Sequence, residues 1–66
     1  MLETKIRALR LERGMDQAEL ARLVGVRRET IGRLEKGQYN PSLKLAMDIA
    51  KVFGRTVEEV FTFQED

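Results

Sequence analysis

The segment QAELARLVGVRRETIGRLEKG, residues 17–37, decides the fold of this chain. Apolar residues recur at helical spacing over residues 17–24 and again over residues 28–36. Only residues 25–27 separate the two predicted helices, and a glycine after each helix supplies a stop signal. So short a turn holds two helices at a steep, fixed angle, which predicts a compact helical pair.

Further start and stop signals surround this pair, so we predict an all-α domain of five helices. Asp16 with Glu19, and Thr56 with Glu59, have the spacing of capping boxes that begin helices. The other predicted helices cover residues 3–13, residues 43–53 after the cap residue Ser42, and residues 57–61. In the fourth helix, the broad apolar face toward the core is predicted to include Leu43.

The last residues, FTFQED, alternate weakly and predict a short extended strand. In a helical domain such a strand has no partner of its own, so its exposed edge predicts a contact with a second copy of the chain. The residues expected in this contact are Phe61, Phe63, Met1 and Leu2, with residues 62–66 as the dimerisation tail. The alternative is a frayed terminus with one loosely packed phenylalanine.

Length and composition confine the chain to one small domain, residues 1–66. It has no cysteine and no histidine, so neither disulfides nor a metal site are expected, and no cofactor or small-molecule ligand is evident. Its longest unbroken apolar run has three residues, Leu45 to Met47, which excludes a membrane span and a secretory signal. We therefore expect a cytoplasmic protein.

Charge is distributed unevenly, although the net charge is only +1. Residues 1–37 carry nine lysines and arginines against six acidic residues, whereas residues 38–66 carry three against five. Positive charge is thus concentrated in the half that contains the helical pair, and the acidic end would be held away from a polyanion. The distribution favours a negatively charged partner for the first half.

Catalytic chemistry is poorly represented in the sequence. Histidine and cysteine are missing, and no glycine loop suited to phosphate is found. Adjacent carboxylates such as Glu58 and Glu59 point in different directions from a helix, which disfavours concerted acid–base work. We therefore do not expect an enzyme.

The predicted third helix, residues 28–36, has two faces. Ile31 and Leu34 point toward the core. The opposite side holds Arg28, Glu29, Gly32 and Arg33. Arginine can bond guanine O6 and N7 together, and glutamate can accept from cytosine N4, so these residue types suit base reading in the DNA major groove. The alternative is a plain solvated face.

Two residues of this face carry rival explanations. Inside a helix, glycine is less favourable than alanine by about 1 kcal/mol. A closer approach of the helix to the groove would be one benefit that offsets this cost at Gly32. Glu29 either reads cytosine or only orients Arg33, which lies four residues later. Both pairs of alternatives stay open at the level of sequence.

The opening segment, together with NPSLKLAMDIAKVFGRTVEEVF at residues 40–61, strongly resembles the Cro/repressor (XRE-type) helix-turn-helix family. The resemblance covers about residues 6–61. The YNPSL segment and the FTFQ tail are most similar to the small stand-alone regulators of the cytolysin-operon type. This resemblance implies a five-helix, lambda-repressor-like DNA-binding fold whose helix-turn-helix spans about residues 17–36 and whose third helix enters the major groove.

Polar residues beside the reading face are candidates for contacts to the DNA backbone. Free backbone N–H groups at the start of the second helix favour an anion such as a DNA phosphate. The resemblance implies that the Gln17 side chain also binds this phosphate. The other candidates are Arg27, Lys36, Tyr39 and Asn40. Arg27 replaces the usual serine or threonine cap, which suggests that it is kept for its charge. Asn40 has a rival role as a turn residue before Pro41.

Arg10 and Glu35 form one further expected pair. In phage repressors of the family that this sequence resembles, a first-helix arginine pairs with a glutamate late in the third helix, and both positions match here. Such an ion pair would fix the orientation of the reading helix, although a buried pair is weak support for net stability.

The sequence therefore predicts a sequence-specific regulator of transcription that binds double-stranded DNA as a homodimer on a near-palindromic operator. Repression by occupying a promoter is the simplest mechanism, and activation by touching polymerase stays open. The alternative is a protein-interaction or antitoxin-like adaptor that keeps the fold without specific DNA reading.

Overall fold

The computed structural model describes residues 1–64 as five helices joined to a two-stranded ribbon. In chain order the elements are β1 (Leu2–Thr4), α1 (Ile6–Glu12), α2 (Gln17–Val24), α3 (Arg28–Glu35), α4 (Leu43–Phe53), α5 (Val57–Val60) and β2 (Phe61–Phe63). The prediction of five helices is confirmed, and α2 to α5 lie within one residue of their predicted bounds. The part of the expected dimerisation tail at Glu65 and Asp66 lies outside the described residues.

The ribbon corrects the expectation that the C-terminal strand has no partner in its own chain. β1 and β2 are antiparallel, in the register Leu2↔Phe63, Glu3↔Thr62 and Thr4↔Phe61. The backbone N–H and C=O groups of β2 that face β1 are therefore satisfied without a second copy. The strand itself was predicted correctly, but the premise that it has no partner within its own chain was wrong.

The first helix begins later than the sequence predicts. Residues 3 and 4 were assigned to α1, yet both belong to β1, and the helix starts at Ile6. The ribbon ladder continues past the strand, because the N–H of Lys5 donates to the carbonyl oxygen of Val60 at 2.9 Å. The backbone of these residues is thus committed to the ribbon before the helix can use it.

The hydrophobic core lies between the helices and is closed by the start of β1. The largest fully buried side chains are Ile6, Leu20, Ile31, Leu34, Ile49 and Val60. Leu43 was expected in this core, but it is 73% exposed. At about 100° per residue it lies roughly a quarter turn from the middle of the buried stripe of α4. Leu43 therefore lies at the edge of the buried stripe, where it faces solvent.

The two predicted capping boxes differ in the structure. At the start of α5 both halves form: the Glu59 N–H donates to Thr56 Oγ1 at 3.1 Å, and the Thr56 N–H donates to Glu59 Oε1 at 2.8 Å. The bond from the Thr56 N–H lowers the pKa of the Glu59 carboxyl below its ordinary value. At the start of α2, Asp16 accepts from the Glu19 N–H at 2.8 Å, and this half of the box caps the helix.

The ribbon meets the end of α3 at Gly37. This residue has a φ of 70°, a left-handed conformation that disfavours residues with a Cβ atom. A Cβ atom placed there would also overlap the main-chain oxygen of Leu2. Both the left-handed backbone and the contact with Leu2 therefore require glycine at this position. The same contact shows that β1 lies directly against the C-terminal end of α3.

Candidate nucleic-acid interface

The position of α3 is fixed by its buried side and by the turn that precedes it. Ile31 and Leu34 are both completely buried in the core. Gly25 ends α2 in the left-handed conformation, with a φ of 73°. Arg27 then occupies the cap position of α3 in an extended conformation and makes no capping hydrogen bond through its side chain. The charge of Arg27 is consequently left available at the surface.

The outer side of α3 exposes three charged side chains, those of Arg28, Glu29 and Arg33. The half-buried Gly32 lies between them on the same side. Within residues 1–64, Glu29 forms no ion pair within the 4.0 Å limit, so no salt bridge ties it to Arg33. This geometry gives no support to the reading in which Glu29 only orients Arg33.

Gly32 is not required by packing inside the protein. A Cβ atom on this residue would lie 3.8 Å from Gln17 Nε2 and 3.9 Å from Gln17 Oε1, which is ordinary van der Waals contact. Alanine would therefore fit the folded chain and would be favoured in a helix by about 1 kcal/mol. Neither the backbone conformation nor the packing of the core explains the glycine.

An ion pair beneath the helix joins α3 to α1. Arg10 Nε lies 2.7 Å from Glu35 Oε2, and the Arg10 side chain also donates to Glu35 Oε1 at 3.2 Å. The two side chains are only 9% and 7% exposed. A third bond runs from Arg10 to the carbonyl oxygen of Met15 at 3.0 Å. Its hydrogen bonds to Glu35 raise the pKa of Arg10, against the opposing effect of burial.

Gln17 connects this ion pair to the exposed face of α3. Its Nε2 donates to Glu35 Oε1 at 3.1 Å, and its Oε1 accepts from Arg28 at 3.1 Å. Glu35 can only accept hydrogen bonds, so it holds the amide with the nitrogen inward and the oxygen toward Arg28. The continuous chain of bonds from Arg10 to Arg28 holds the Arg28 guanidinium at the surface.

A recess of about 370 Å³ opens at the start of α2 beside this chain of bonds. It is lined by Arg10, Asp16, Gln17, Ala18 and Arg28. The first N–H groups of a helix have no intrahelical partner, so those of Gln17 and Ala18 are available to an anion here. The Arg28 side chain and a helix N-terminus therefore meet at this recess, where the charge of Arg10 is already balanced by Glu35.

The remaining candidates surround α3 less tightly. Arg27 and Lys36 are exposed at its two ends, and Tyr39 is 42% exposed in the loop that follows. Asn40 is also exposed, and it borders a different, apolar surface next to Pro41. The structure thus brings Arg27 and Lys36 beside the outer side of α3, with Tyr39 and Asn40 farther along the chain.

That second surface is an apolar groove of about 280 Å³. Its lining comprises Leu2, Asn40, Pro41, Leu43, Ala46, Val57, Phe61 and Phe63. Phe63 and Leu43 both line this groove, and they are 63% and 73% exposed. We call this surface the apolar groove. Contiguous apolar surface of this kind marks an interaction site more often than plain surface.

The residues that the structure describes contain no helix long and apolar enough to cross a membrane. Within the same residues 1–64, no group of three or more acidic, histidine or cysteine side chains could hold a metal ion.

Comparison with known proteins agrees with this geometry. A family profile described as "Helix-turn-helix" matches residues 6–60, which include all five helices. The chain belongs to the XRE-type helix-turn-helix family. Members of this family are DNA-binding regulators of transcription rather than enzymes, and they bind double-stranded DNA. The family resemblance inferred from the sequence is confirmed.

Several relatives of this helix-turn-helix regulator have similar sequences. An uncharacterized HTH-type transcriptional regulator from Archaeoglobus fulgidus is 55% identical over 65 residues, which cover 98% of this chain and 93% of the relative. One from Bacillus subtilis is 42% identical, with 98% of each chain covered. The transcriptional repressor RstR of a cryptic CTXphi phage, from Vibrio cholerae, is 37% identical across 98% of this chain and 59% of its own length.

Solved structures give the same result for the fold. A restriction-modification controller protein from Aeromonas hydrophila is 34% identical, with a TM-score of 0.75 over 83% of each chain. A Bacteroides fragilis protein of 21% identity shares the fold, with a TM-score of 0.80 over 94% of this chain and all of that one. The compact five-helix prediction for this regulator is therefore confirmed.

Sequence reasoning missed two features of these surfaces. The apolar groove includes Leu43, which was assigned to the core, and Leu2, which was expected only in a strand-edge contact with a second copy. The bonding of Gln17 to both Glu35 and Arg28 was also missed, because it depends on side chains 18 and 11 residues away. The apolar residue directly after the Ser42 cap, at the edge of the α4 stripe, is the one signal that pointed to the groove.

Proposed function

We propose that this regulator reads a specific DNA sequence through α3 and acts as a homodimer that represses transcription by occupying its operator. The observation that carries the proposal is the contrast within α3. Its inner side is anchored by buried residues and by the Arg10–Glu35 pair, while its outer side presents Arg28, Glu29 and Arg33 to solvent. A helix held so firmly, with these three charged groups facing outward, suits entry into the major groove.

Each residue of the outer face receives a role in this proposal. Arg28 and Arg33 would bond guanine, and Glu29 would accept from a cytosine amino group. Gly32 would let the backbone of α3 approach the bases closely. Gln17 would set the direction of the Arg28 guanidinium through the bond at 3.1 Å.

Phosphate contacts would position the helix without adding sequence information. The recess at the start of α2 offers the N–H groups of Gln17 and Ala18 to one phosphate. The amide of Gln17 is bonded at both ends, so its main chain rather than its side chain would make this contact. Arg27 and Lys36 would hold the backbone at the two ends of α3. Tyr39 and Asn40 complete the set of proposed backbone contacts.

The apolar groove is the surface that we assign to the homodimer. Phe61 and Phe63, which the sequence assigned to the contact between copies, line this groove. The proposed contact therefore uses their side chains, since the edge of β2 toward β1 is already paired. Its occupant would be the same groove of a second copy, because exposed side chains such as Leu43 stand beside a cavity that similar side chains can fill. Two reading helices would then enter successive major grooves about 34 Å apart.

Repression is favoured over the adaptor alternative by one comparison. A relative that spans nearly all of this chain, RstR, is named as a transcriptional repressor. The adaptor reading predicts that no duplex is preferred over another. The repressor reading predicts a preferred duplex whose occupancy depends on the outer face of α3.

Fluorescence anisotropy tests the reading proposal. The wild-type protein should bind a duplex selected from a random pool far more tightly than an unrelated duplex, and affinity should fall steeply with salt. Arg33→Ala should relax discrimination at one base pair by about 1–3 kcal/mol, whereas Lys36→Ala should weaken all duplexes alike. Equal, weak affinity of the wild type for every duplex would refute sequence-specific reading.

Sedimentation equilibrium tests the dimer. Leu43→Asp should convert a two-chain species into a single chain, because it places a charge inside an apolar contact. Leu23→Asp is the matched control, since Leu23 is 48% exposed but lies on α2 outside the apolar groove. A monomeric wild type, or equal effects of the two substitutions, would contradict the proposed interface.

A further inference from the structure

A single carboxylate lies in the recess at the start of α2. Asp16 lines that recess together with Arg10, Gln17 and Arg28, and its side chain is exposed. Its Oδ1 accepts from the Glu19 N–H at 2.8 Å, which is the cap of α2. The carboxylate therefore combines a structural bond with a negative charge in a recess that Arg28 also lines.

The cap of α2 does not need that charge. Asparagine and serine cap helices about as well as aspartate, because each offers a side-chain oxygen to the same backbone N–H. The hydrogen bond and the charge of Asp16 can thus be separated by substitution. A neutral residue could have capped α2 at little cost in stability.

The other groups in the recess attract an anion. Arg28 supplies positive charge, and the N–H groups of Gln17 and Ala18 have no intrahelical partner. The charge of Arg10 is already balanced by Glu35. A DNA phosphate that entered this recess, as the proposed function requires, would lie beside the Asp16 carboxylate. The two negative charges would repel each other. At a separation of about 4 Å, this repulsion is enough even in water to change the equilibrium constant for DNA binding about fivefold.

We propose that Asp16 acts as an electrostatic brake on DNA binding, which lowers the affinity for every duplex by repelling the phosphate in this recess. The inference rests on the proposed function, because it needs DNA against the start of α2. Phosphate contacts carry no sequence information, so the brake leaves discrimination between duplexes unchanged. Its effect is to make stable binding depend on the base contacts of α3.

Two substitutions separate the charge from the cap. Asp16→Asn and Asp16→Ser should each tighten binding about fivefold, for the selected duplex and for an unrelated duplex alike, in anisotropy titrations at one fixed salt concentration. The ratio between the two duplexes should not change. Thermal unfolding followed by circular dichroism should show that both variants keep the wild-type melting temperature within a few degrees.

Glu58→Gln is the matched control, because it changes the net charge by the same amount on α5, away from the recess. It should change affinity less than twofold. An equal gain for Glu58→Gln would show an effect of net charge alone and would overturn the proposal. A gain for asparagine without one for serine would indicate a new amide bond and would also overturn it, as would no gain at all.

The failure of this inference is distinct from failure of the proposed function. If the wild type prefers its selected duplex but Asp16→Asn and Asp16→Ser do not tighten binding, only the brake is refuted. If the wild type shows no preference, sequence-specific reading fails, and the Asp16 variants still report on phosphate binding through the unrelated duplex.

Discussion

Two surfaces of the molecule expose opposite kinds of chemistry. On the first, which we call the polar surface, Arg28, Glu29 and Arg33 face solvent above the buried Arg10–Glu35 pair. On the second, the apolar groove, leucine and phenylalanine side chains face solvent beside the ribbon. Packing in the hydrophobic core explains neither set of exposed side chains. The difference indicates that one surface suits a polyanion and the other an apolar partner.

The two surfaces also differ in how they are supported. The polar surface is held by a chain of hydrogen bonds in which Glu35 is shared between Arg10 and Gln17. The apolar groove is held by strand pairing and by side-chain packing around the ribbon. Removal of one interacting side chain is expected to cost much stability at the polar surface and little at the groove, because a buried charge tolerates the loss of its partner poorly.

Glu35→Ala should have the largest effect on this comparison. It leaves the buried guanidinium of Arg10 without its charge partner, which should lower the free energy of unfolding by about 3–5 kcal/mol. Urea and thermal unfolding followed by circular dichroism measure this loss. Glu29→Ala, an exposed change on the same helix, should stay within about 0.5 kcal/mol of wild type. Similar losses for the two variants would contradict the structural role of the ion pair.

Gly37→Ala tests the junction where the ribbon reaches α3. The control is Gly14→Ala, because Gly14 has a φ of 61° but nothing within 4 Å of an added Cβ atom. The control should lose about 1–2 kcal/mol for its left-handed backbone alone. Gly37→Ala should lose about 1–3 kcal/mol more, because its Cβ atom overlaps the Leu2 oxygen. Equal losses in chemical unfolding would show that β1 does not press on the end of α3.

Gly32→Ala should move stability and DNA binding in opposite directions. The added Cβ atom fits the folded chain, so the free energy of unfolding should rise by about 1 kcal/mol. Binding to the selected duplex should weaken, because the methyl group would keep α3 farther from the bases. Unfolding and anisotropy measurements on one preparation give both values. Binding as tight as that of the wild type would remove Gly32 from the reading face.

Glu59→Gln should have the smallest effect, and one that depends on pH. The pKa of Glu59 is lowered in the folded state, so its contribution is present above the unfolded pKa near 4.5 and is lost as pH falls through the folded pKa. The variant should therefore melt below wild type at pH 7, and the difference should shrink at pH 3. Glu58→Gln serves as the control, and a difference that does not vary with pH would contradict the assignment.

The helices were predictable because their signals are local. Asp16, Ser42 and Thr56 each lie at the cap position that the sequence indicated, and Gly25 and Gly54 end helices in the left-handed conformation. A cap or a stop is decided by residues within four positions along the chain. The inner and outer sides of α3 follow from helical spacing in the same way.

The ribbon and the groove were not predictable from local signals of this kind. Pairing of Leu2 with Phe63 joins residues at opposite ends of the chain, and a three-residue strand carries almost no periodic signal. Leu43 looked like core because it is apolar and begins a strongly apolar helix. Helical spacing places it at the edge of the apolar stripe, and whether a residue at that edge is covered depends on neighbouring elements that the helix itself does not define.

Selection of bound sequences from a random duplex pool, run with the wild type and with Arg33→Ala side by side, tests the central claim most directly. Reading of bases by α3 predicts a near-palindromic site with half-sites about 34 Å apart. It also predicts that Arg33→Ala loses preference at one base pair in each half-site. No enriched sequence with the wild type, or the same site enriched by both proteins, would contradict the claim that α3 reads DNA through this face.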